Sequence, residues 1–166
     1  MPSKTSKPRL IRRSLWKSAL NCAEPELVET ARAFAAVLNP GDRVLLEGPL
    51  GAGKTTFARA LLEGLGVIQP PEGSPSFAIA HEYDASRGEV VHIDLYRLKN
   101  ESEIEEAGIN AYYWEREAIV ISEWTSMFPD FERAVMEKST HTVWVVTLDI
   151  IEDEKRNLLI EMINKD

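Results

Sequence analysis

The chain has 166 residues, of which 44% are hydrophobic, and its formal net charge is −8. This length favours one well-buried domain, and no apolar run approaches the roughly 18–20 residues of a membrane span. We therefore expect a soluble, cytoplasmic protein that makes no membrane contact. The single cysteine, Cys22, excludes an internal disulfide and a cysteine-based metal cage.

The charge is unevenly distributed along the chain. Six basic residues precede the first acidic residue, Glu24. Subtracting these six from the 19 basic residues leaves 13 against 27 acids, so the rest of the chain has a net charge of −14. A domain this acidic is poorly suited to binding nucleic acid directly, and we expect any action on RNA to go through a partner.

Residues 1–20 are predicted to form a basic, flexible tail outside a domain at 21–166. Three interpretations of this tail stay open: a solvated disordered segment, an electrostatic arm for RNA or an acidic partner, and a cleaved organellar transit peptide.

Residues 24–38 are predicted to form the first helix, which Pro25 could open, because their apolar residues recur at helical spacing. The turn at 39–42 delivers the chain into residues 43–47, a short apolar run that predicts a buried strand. After residue 56 the apolar positions again follow helical spacing, and Gly64 and Gly66 end that pattern.

Between this strand and this helix, residues 48–56 fit G-x-x-x-x-G-K-[ST], the phosphate-binding P-loop. The glycines allow backbone N–H groups to approach phosphate oxygens. Lys54 would place its charge on the β- and γ-phosphates, and the Thr55 hydroxyl would ligate Mg²⁺. The predicted nucleotide-binding residues of the loop are Gly48, Gly51, Ala52, Gly53, Lys54, Thr55 and Thr56.

Residues 69–76 are predicted to form a loop just past the P-loop helix, a position that often senses the γ-phosphate. Ser74 and Ser76 are candidate hydroxyl ligands there, although plain loop serines would show the same spacing.

The remaining elements alternate strands with short helices. Residues 77–83 and 89–94 predict an antiparallel hairpin with a five-residue turn, and 100–107 a short helix begun by Asn100 or Ser102. A second short turn at 109–114 precedes an apolar strand at 118–123, and two final strands are predicted at 142–149 and 157–162.

Two acids end apolar strands and could hold or orient Mg²⁺ and its waters. The strand before Glu123 is the more continuously apolar, as expected for a central parallel strand beside the P-loop strand. The strand before Asp94 alternates and fits the hairpin. The pattern therefore favours Glu123 as the main carboxylate, with Asp94 close by as a base or supporting group. His81, His92 and His141 lack metal-ligand spacing and are interpreted as structural.

Together, the P-loop, Ser-Pro-Ser-Phe at 74–77, His-Ile-Asp-Leu-Tyr-Arg at 92–97 and Ile-Ser-Glu-Trp at 121–124 resemble the bacterial TsaE family, also called YjeE. The resemblance covers about residues 24–162. It implies an α/β fold, a single P-loop NTPase domain with a mixed parallel and antiparallel sheet flanked by helices.

The resemblance also implies a function. Members of the family bind ATP or ADP with Mg²⁺ and hydrolyse ATP weakly alone. They assist a TsaB–TsaD complex that installs threonylcarbamoyl on the adenosine following the anticodon, in tRNAs that read codons starting with A. Contact with tRNA would then be indirect, and ATP hydrolysis would reset the complex.

Carried over by residue, Thr55 and Glu123 match the family's Mg²⁺ positions, and Asp94 matches the acid of Asp-Leu-Tyr-Arg. Lys54, Asp94 and Glu123 are thus the predicted catalytic residues. Trp124 matches a tryptophan beside the site, and residues 74–77 match a loop that resembles a switch.

Three positions depart from the family's usual pattern. Ser76 stands where threonine is usual, which retains the hydroxyl. Pro49 stands where an acid is usual and removes one backbone N–H from the phosphate cradle. Ser122 replaces an apolar residue before Glu123, and nothing in the sequence explains that change.

Other functions remain open at this point. A small-molecule P-loop kinase has a similar size but usually carries arginines on a lid, whereas Arg97, Arg116 and Arg133 are scattered. A GTPase is disfavoured because neither Asn-Lys-x-Asp nor Asp-x-x-Gly occurs. A nucleotide-gated binding subunit differs from the family's picture only in whether hydrolysis is required.

Overall fold

The computed structural model describes residues 11–68 and 79–164. These residues form one seven-stranded sheet in the order β1-β7-β6-β2-β5-β4-β3. In chain order the strands are β1 (Arg12–Cys22), β2 (Arg43–Glu47), β3 (Ala80–Ala85), β4 (Gly88–Asp94), β5 (Ile119–Glu123), β6 (Val143–Glu152) and β7 (Lys155–Asn164).

Helices cover both faces of the sheet. They are α1 (Glu24–Ala35), α2 (Lys54–Gly64), α3 (Glu101–Glu106), α4 (Ile109–Trp114) and α5 (Pro129–Lys138), with a 3₁₀ turn at Thr125–Met127. Within the described ranges, no helix is long and apolar enough to cross a membrane.

The four central strands β6, β2, β5 and β4 run parallel, and β3, β7 and β1 are antiparallel to their neighbours. The predicted mixed α/β sheet is confirmed. Alternate residues of the central strands face two separate cores, one under α1 and α2 and the other under α3, α4 and α5. Parallel strands need cover on both faces, which explains why the interior positions of β2 (residues 44–46) and the first three residues of β5 (119–121) are all apolar.

The predicted flexible tail is wrong from residue 12 onward, because β1 pairs antiparallel with β7, from Arg12 opposite Asn164 to Cys22 opposite Arg156. The ring of Trp16 lies 5.3 Å from that of Phe34. Backbone pairing and this aromatic contact hold a segment whose charge alone indicated a solvated tail. Residues 1–10 lie outside the described residues.

Other boundaries shift by a few residues. The first helix ends at Ala35, and the hairpin strands extend so far that a two-residue turn, at 86–87, replaces the predicted five. Helix α5 was not predicted. The Asn100 cap is confirmed, since its side chain accepts a hydrogen bond from the Glu103 N–H at 3.1 Å.

Arg43 ties the base of β2 to its neighbours and is only 2% exposed. The backbone carbonyl oxygens that accept from its guanidinium include those of Ala118 at 2.7 Å, Tyr113 at 3.0 Å and Arg116 at 3.1 Å. These bonds join the start of β2 to the start of β5 and the end of α4. They fix the end of the sheet opposite the P-loop.

Glu47 lies at the other end of β2, immediately before the P-loop. Burial, and next the neighbouring carboxylate of Glu132, raise the pKa of Glu47 to about 7. The folded protein therefore holds the Glu47 proton more tightly than the unfolded chain does.

We predict that Arg43→Met lowers the free energy of unfolding by about 2–4 kcal/mol, because buried carbonyl oxygens lose their charged donor. Urea denaturation measures the change. Arg32→Met is the matched control, since Arg32 forms only an exposed ion pair with Glu63, worth at most about 1 kcal/mol. Equal losses of unfolding free energy in the two variants would show that the buried guanidinium of Arg43 stabilises the fold no more than an exposed ion pair does.

We predict that Glu47 makes the parent chain lose stability as the pH rises. Because the folded pKa lies above the unfolded value of 4.5, protonated Glu47 stabilises the fold fully below about pH 4.5. That stabilisation is lost by about pH 7. Glu47→Gln should reduce the decline in the free energy of unfolding by about 2 kcal/mol. This is less than the full pKa shift would give, because the side chain is partly exposed. Urea unfolding of both chains from pH 4.5 to 7.5 measures it, and parallel curves would contradict the prediction.

Candidate functional site

The P-loop connects the buried strand β2 to helix α2, as its motif demands. Gly48 has φ +150°, and a Cβ there would collide with the carbonyl oxygen of Leu148. Gly53 has φ +102° and lies at the N-terminus of α2. Both positions therefore require glycine. The first N–H groups of α2 point into the loop and have no partner within the helix.

Lys54 is folded back over its own loop. Its ammonium donates to the carbonyl oxygens of Gly48 at 2.5 Å and Pro49 at 3.0 Å, and it lies 3.8 Å from the ring centroid of Trp124. Burial lowers the pKa of Lys54, and the carboxylates of Glu123 and Asp94 partly oppose that shift. The lysine thus has weak neutral partners that a phosphate could replace.

Glu123 is the central carboxylate of the site and is 2% exposed. Its Oε1 accepts a hydrogen bond from the Thr55 hydroxyl at 3.0 Å, and its Oε2 lies 2.7 Å from Nε2 of His92. Parallel pairing places Glu123 beside Leu46 of β2 on one side. The carboxylate is therefore held one strand away from the P-loop.

Asp94 lies level with Glu123 on the adjacent strand β4. Its Oδ1 accepts a hydrogen bond from the Tyr96 N–H at 2.9 Å. Of the two acids, Glu123 contacts the Thr55 hydroxyl directly. The ranking of Glu123 above Asp94 as the main carboxylate stays a prediction.

These groups surround a cavity of about 360 Å³, here called the carboxylate-side cavity. Its lining combines P-loop residues with the ends of β4 and β5, namely Leu50, Gly51, Gly53, Lys54, Thr55, Thr56, Asp94, Tyr96, Glu123 and Trp124. The structure thus brings together eight of the predicted site residues. Gly48 and Ala52 lie in the loop without lining this cavity, and Ser74 and Ser76 lie outside the described residues.

The donor set fits Mg²⁺. The Thr55 hydroxyl and the Glu123 carboxylate are adjacent oxygen donors, and Asp94 is near. Mg²⁺ prefers oxygen ligands and is usually bound by one or two protein groups together with water and phosphate oxygens. Across the described residues no group of three or more His, Cys, Asp or Glu residues could hold a metal ion.

Trp124 directly follows Glu123 and adopts a left-handed backbone conformation, with φ +68°. Its ring packs against that of Tyr96 with centroids 5.0 Å apart. This conformation is uncommon for a bulky residue and is typical of functional sites. It turns the indole onto the ammonium of Lys54.

A second cavity, of about 380 Å³, lies on the other side of the P-loop. It is here called the hairpin-side cavity, and its lining includes Pro25, Leu27, Thr56, Asp153 and Arg156. Thr56, Gly51 and Gly53 line both cavities. The P-loop therefore separates two spaces that meet at the start of α2.

Arg156 was not predicted from the sequence. Its guanidinium donates to the carbonyl oxygens of Ala52 at 3.1 Å and Gly51 at 3.0 Å, and to that of Glu152 at 2.9 Å. The arginine thereby ties the β6–β7 turn to the P-loop. No local pattern could reveal this contact, because about a hundred residues separate its two ends.

His92 was interpreted as structural, but it contacts the carboxylate predicted to serve the metal. One signal was present in the sequence. His92 lies two residues before Asp94 on one strand, so both side chains face the same side of the sheet.

Comparison with known proteins agrees with this geometry. The family model for TsaE, "Threonylcarbamoyl adenosine biosynthesis protein TsaE", matches residues 22–158. The chain resembles the solved structure of YdiB from Bacillus subtilis with a TM-score of 0.64 and 25% identity, over 94% of this chain and 89% of that one.

Three relatives are named tRNA threonylcarbamoyladenosine biosynthesis protein TsaE. The Bacillus subtilis protein is 38% identical over 60% of this chain and 61% of its own length, so the match spans less than two thirds of that relative. The Aquifex aeolicus protein is 38% identical over 61% of this chain and 78% of its own length. The Rickettsia felis protein is 32% identical over 80% and 72%. The chain, with its P-loop facing a buried strand-end carboxylate, belongs to the TsaE family.

Proposed function

We propose that this protein is a Mg²⁺-dependent ATPase that supports threonylcarbamoylation of the adenosine following the anticodon, in tRNAs that read codons starting with A. It would do so by binding a TsaB–TsaD complex and resetting it through ATP binding and hydrolysis. The observation that carries the proposal is the contact between the Thr55 hydroxyl of the P-loop and the buried Glu123 carboxylate. Membership of the TsaE family supplies the biological setting.

The P-loop would bind the phosphates. Lys54 would leave the carbonyl oxygens of Gly48 and Pro49 for the β- and γ-phosphates, because an anion is a stronger partner for an ammonium than a neutral carbonyl. The N-terminal N–H groups of α2 would contribute further donors. Pro49 lacks an N–H, so the cradle depends on the loop residues after it.

The nucleoside would occupy the hairpin-side cavity. That cavity adjoins Thr56 at the start of α2, opposite the carboxylates. Leu27 and Pro25 offer apolar surface for a base, and Arg156 offers a cation near the ribose and phosphates. The γ-phosphate would then point toward the carboxylate-side cavity.

Thr55 and Glu123 would hold the magnesium ion, directly or through its waters, and Asp94 would assist in orienting the attacking water. A bound Mg²⁺ would neutralise charge on the phosphate oxygens. Glu123 and Asp94 line the same cavity as Lys54 and Trp124. This shared lining supports roles for these residues in binding, orientation and proton acceptance.

Action on tRNA would be indirect. Beyond the six basic residues that precede Glu24 the chain has a net charge of −14, which opposes binding to a polyanion. A partner complex would hold the tRNA, and this chain would contact the complex. This assignment explains how an acidic ATPase could serve an RNA modification.

The test of the proposal is ATP turnover by the chain alone and with TsaB–TsaD plus tRNA. We expect slow hydrolysis alone, a changed rate with the pair, and more modified tRNA per complex. If the pair has no effect and a small metabolite instead accelerates ADP formation, the protein is a small-molecule kinase.

We predict that Lys54→Ala weakens ATP binding by at least about 100-fold, because the phosphates lose a partly desolvated cation. Titration calorimetry measures the affinity, and a cooperative thermal transition confirms folding. Lys138→Ala is the control, since that lysine is exposed on α5. A tight ATP complex in Lys54→Ala would overturn the assignment of the P-loop.

We predict that Glu123→Gln lowers ATP hydrolysis by about 10²-fold or more while ATP still binds. The amide keeps the shape of the side chain and loses its charge. Measuring tRNA modification with TsaB–TsaD in the same variant separates two mechanisms. Loss of modification shows that hydrolysis is required, whereas persistence shows that nucleotide binding alone gates the complex.

A further inference from the structure

His92 lies inside the sheet, on β4. Within the described site its side chain contacts Glu123, on the side away from the P-loop. Its side chain is 2% exposed, and that of Glu123 is 3% exposed. Nε2 of His92 lies 2.7 Å from Oε2 of Glu123. Since an ionised carboxylate can only accept, Nε2 is the donor in this bond.

Strand register sets this contact. In the parallel pairing of β4 with β5, His92 lies opposite Ile121, and Asp94 lies opposite Glu123. All four residues face the same side of the sheet because alternate residues share a face. His92 therefore approaches Glu123 from one level below, away from the P-loop, while Asp94 occupies the level of Glu123 itself.

The two oxygens of Glu123 have different partners. Oε1 faces the Thr55 hydroxyl, and Oε2 faces His92. Because the two oxygens of a carboxylate are equivalent, the bond to His92 fixes the plane of the group. It holds the other oxygen toward the P-loop, and it would persist after Thr55 turned from Glu123 to a metal ion.

A simple packing role does not account for this pair. Burying a carboxylate and an imidazole costs free energy, and apolar residues of similar size are often as stabilising as a buried polar pair. In metal sites, groups that hold a ligating side chain in place tune the affinity for the metal. The geometry at His92 matches that second role.

We propose that His92 is a positioning residue for magnesium binding: its Nε2–H holds Oε2 of Glu123, so that Oε1 stays directed at Thr55 and the ion beside it. This inference rests on the proposed function, because it assumes that Thr55 and Glu123 serve a nucleotide-bound Mg²⁺. It adds a residue that itself touches neither nucleotide nor metal.

The test compares two amides of different reach. The side-chain amide nitrogen introduced by His92→Gln can occupy nearly the place of Nε2, whereas the amide introduced by His92→Asn is too short to reach Oε2. Both variants keep a polar side chain of moderate size, which favours folding. His81→Gln is the matched control, because His81 pairs with His92 across β3 and β4 but contacts Tyr83 rather than Glu123.

The measurement is the affinity for ADP by titration calorimetry, with excess Mg²⁺ and again with EDTA. We expect His92→Asn to lose about tenfold or more of the gain in affinity that Mg²⁺ provides, with the affinity in EDTA unchanged within about twofold. His92→Gln should retain most of that gain, and His81→Gln should match the parent chain.

Three results would overturn the inference. The first is a Mg²⁺-dependent gain in ADP affinity in His92→Asn equal to that of the parent chain. The second is an equal loss of that gain in His92→Gln and His92→Asn, and the third is an equal loss of ADP affinity with and without Mg²⁺. The last result would show a general collapse of the site. Failure of the premise taken from the proposed function, that Mg²⁺ binds with the nucleotide, looks different, since the parent chain would then bind ADP without any dependence on Mg²⁺.

Discussion

The parallel pairing of β2, β5 and β4 is the constraint on which the site depends. Parallel strands end at the same edge of a sheet, and here that edge carries the P-loop after β2, Glu123 after β5 and Asp94 after β4. A one-residue slip of β5 would turn Glu123 to the opposite face of the sheet. At the opposite end of the sheet, Arg43 joins the start of β2 to the start of β5 and to the end of α4 through backbone carbonyls. The register of β2 against β5 and the geometry of the site are therefore linked through the same two strands.

The two buried charged side chains of the site each have partners. Glu123 has Thr55 and His92, while Lys54 has two carbonyl oxygens and the face of an indole. Each of these arrangements is complete without nucleotide, yet each uses partners that an anion or a cation could replace. The site is thus preorganised, and binding would exchange contacts within it instead of building the site anew. Arg156 adds to this by holding P-loop carbonyls toward the hairpin and leaving the N–H groups for the ligand.

Local sequence patterns were informative wherever a single element carried the signal. The P-loop strand was predicted with its observed bounds, and the parallel strand before Glu123 was placed correctly beside it. The basic segment that forms β1 was missed because its charges dominate its composition, while its pairing with β7 and the Trp16 contact depend on residues far along the chain. The contacts of Arg156 were missed for the same reason, whereas the position of His92 two residues before Asp94 was a signal left unused. Tertiary contacts between distant residues leave no periodic trace in a single sequence.

The most direct test is a crystal structure of the chain with ADP and Mg²⁺. We predict an ion bound to a nucleotide phosphate and to Oγ1 of Thr55 at about 2.1 Å. We also predict that Glu123 binds that ion directly or through one water, with the bond from His92 to Oε2 retained. A structure in which ADP binds away from the P-loop, or in which Thr55 still donates to Glu123 while the metal lies elsewhere, would contradict this prediction.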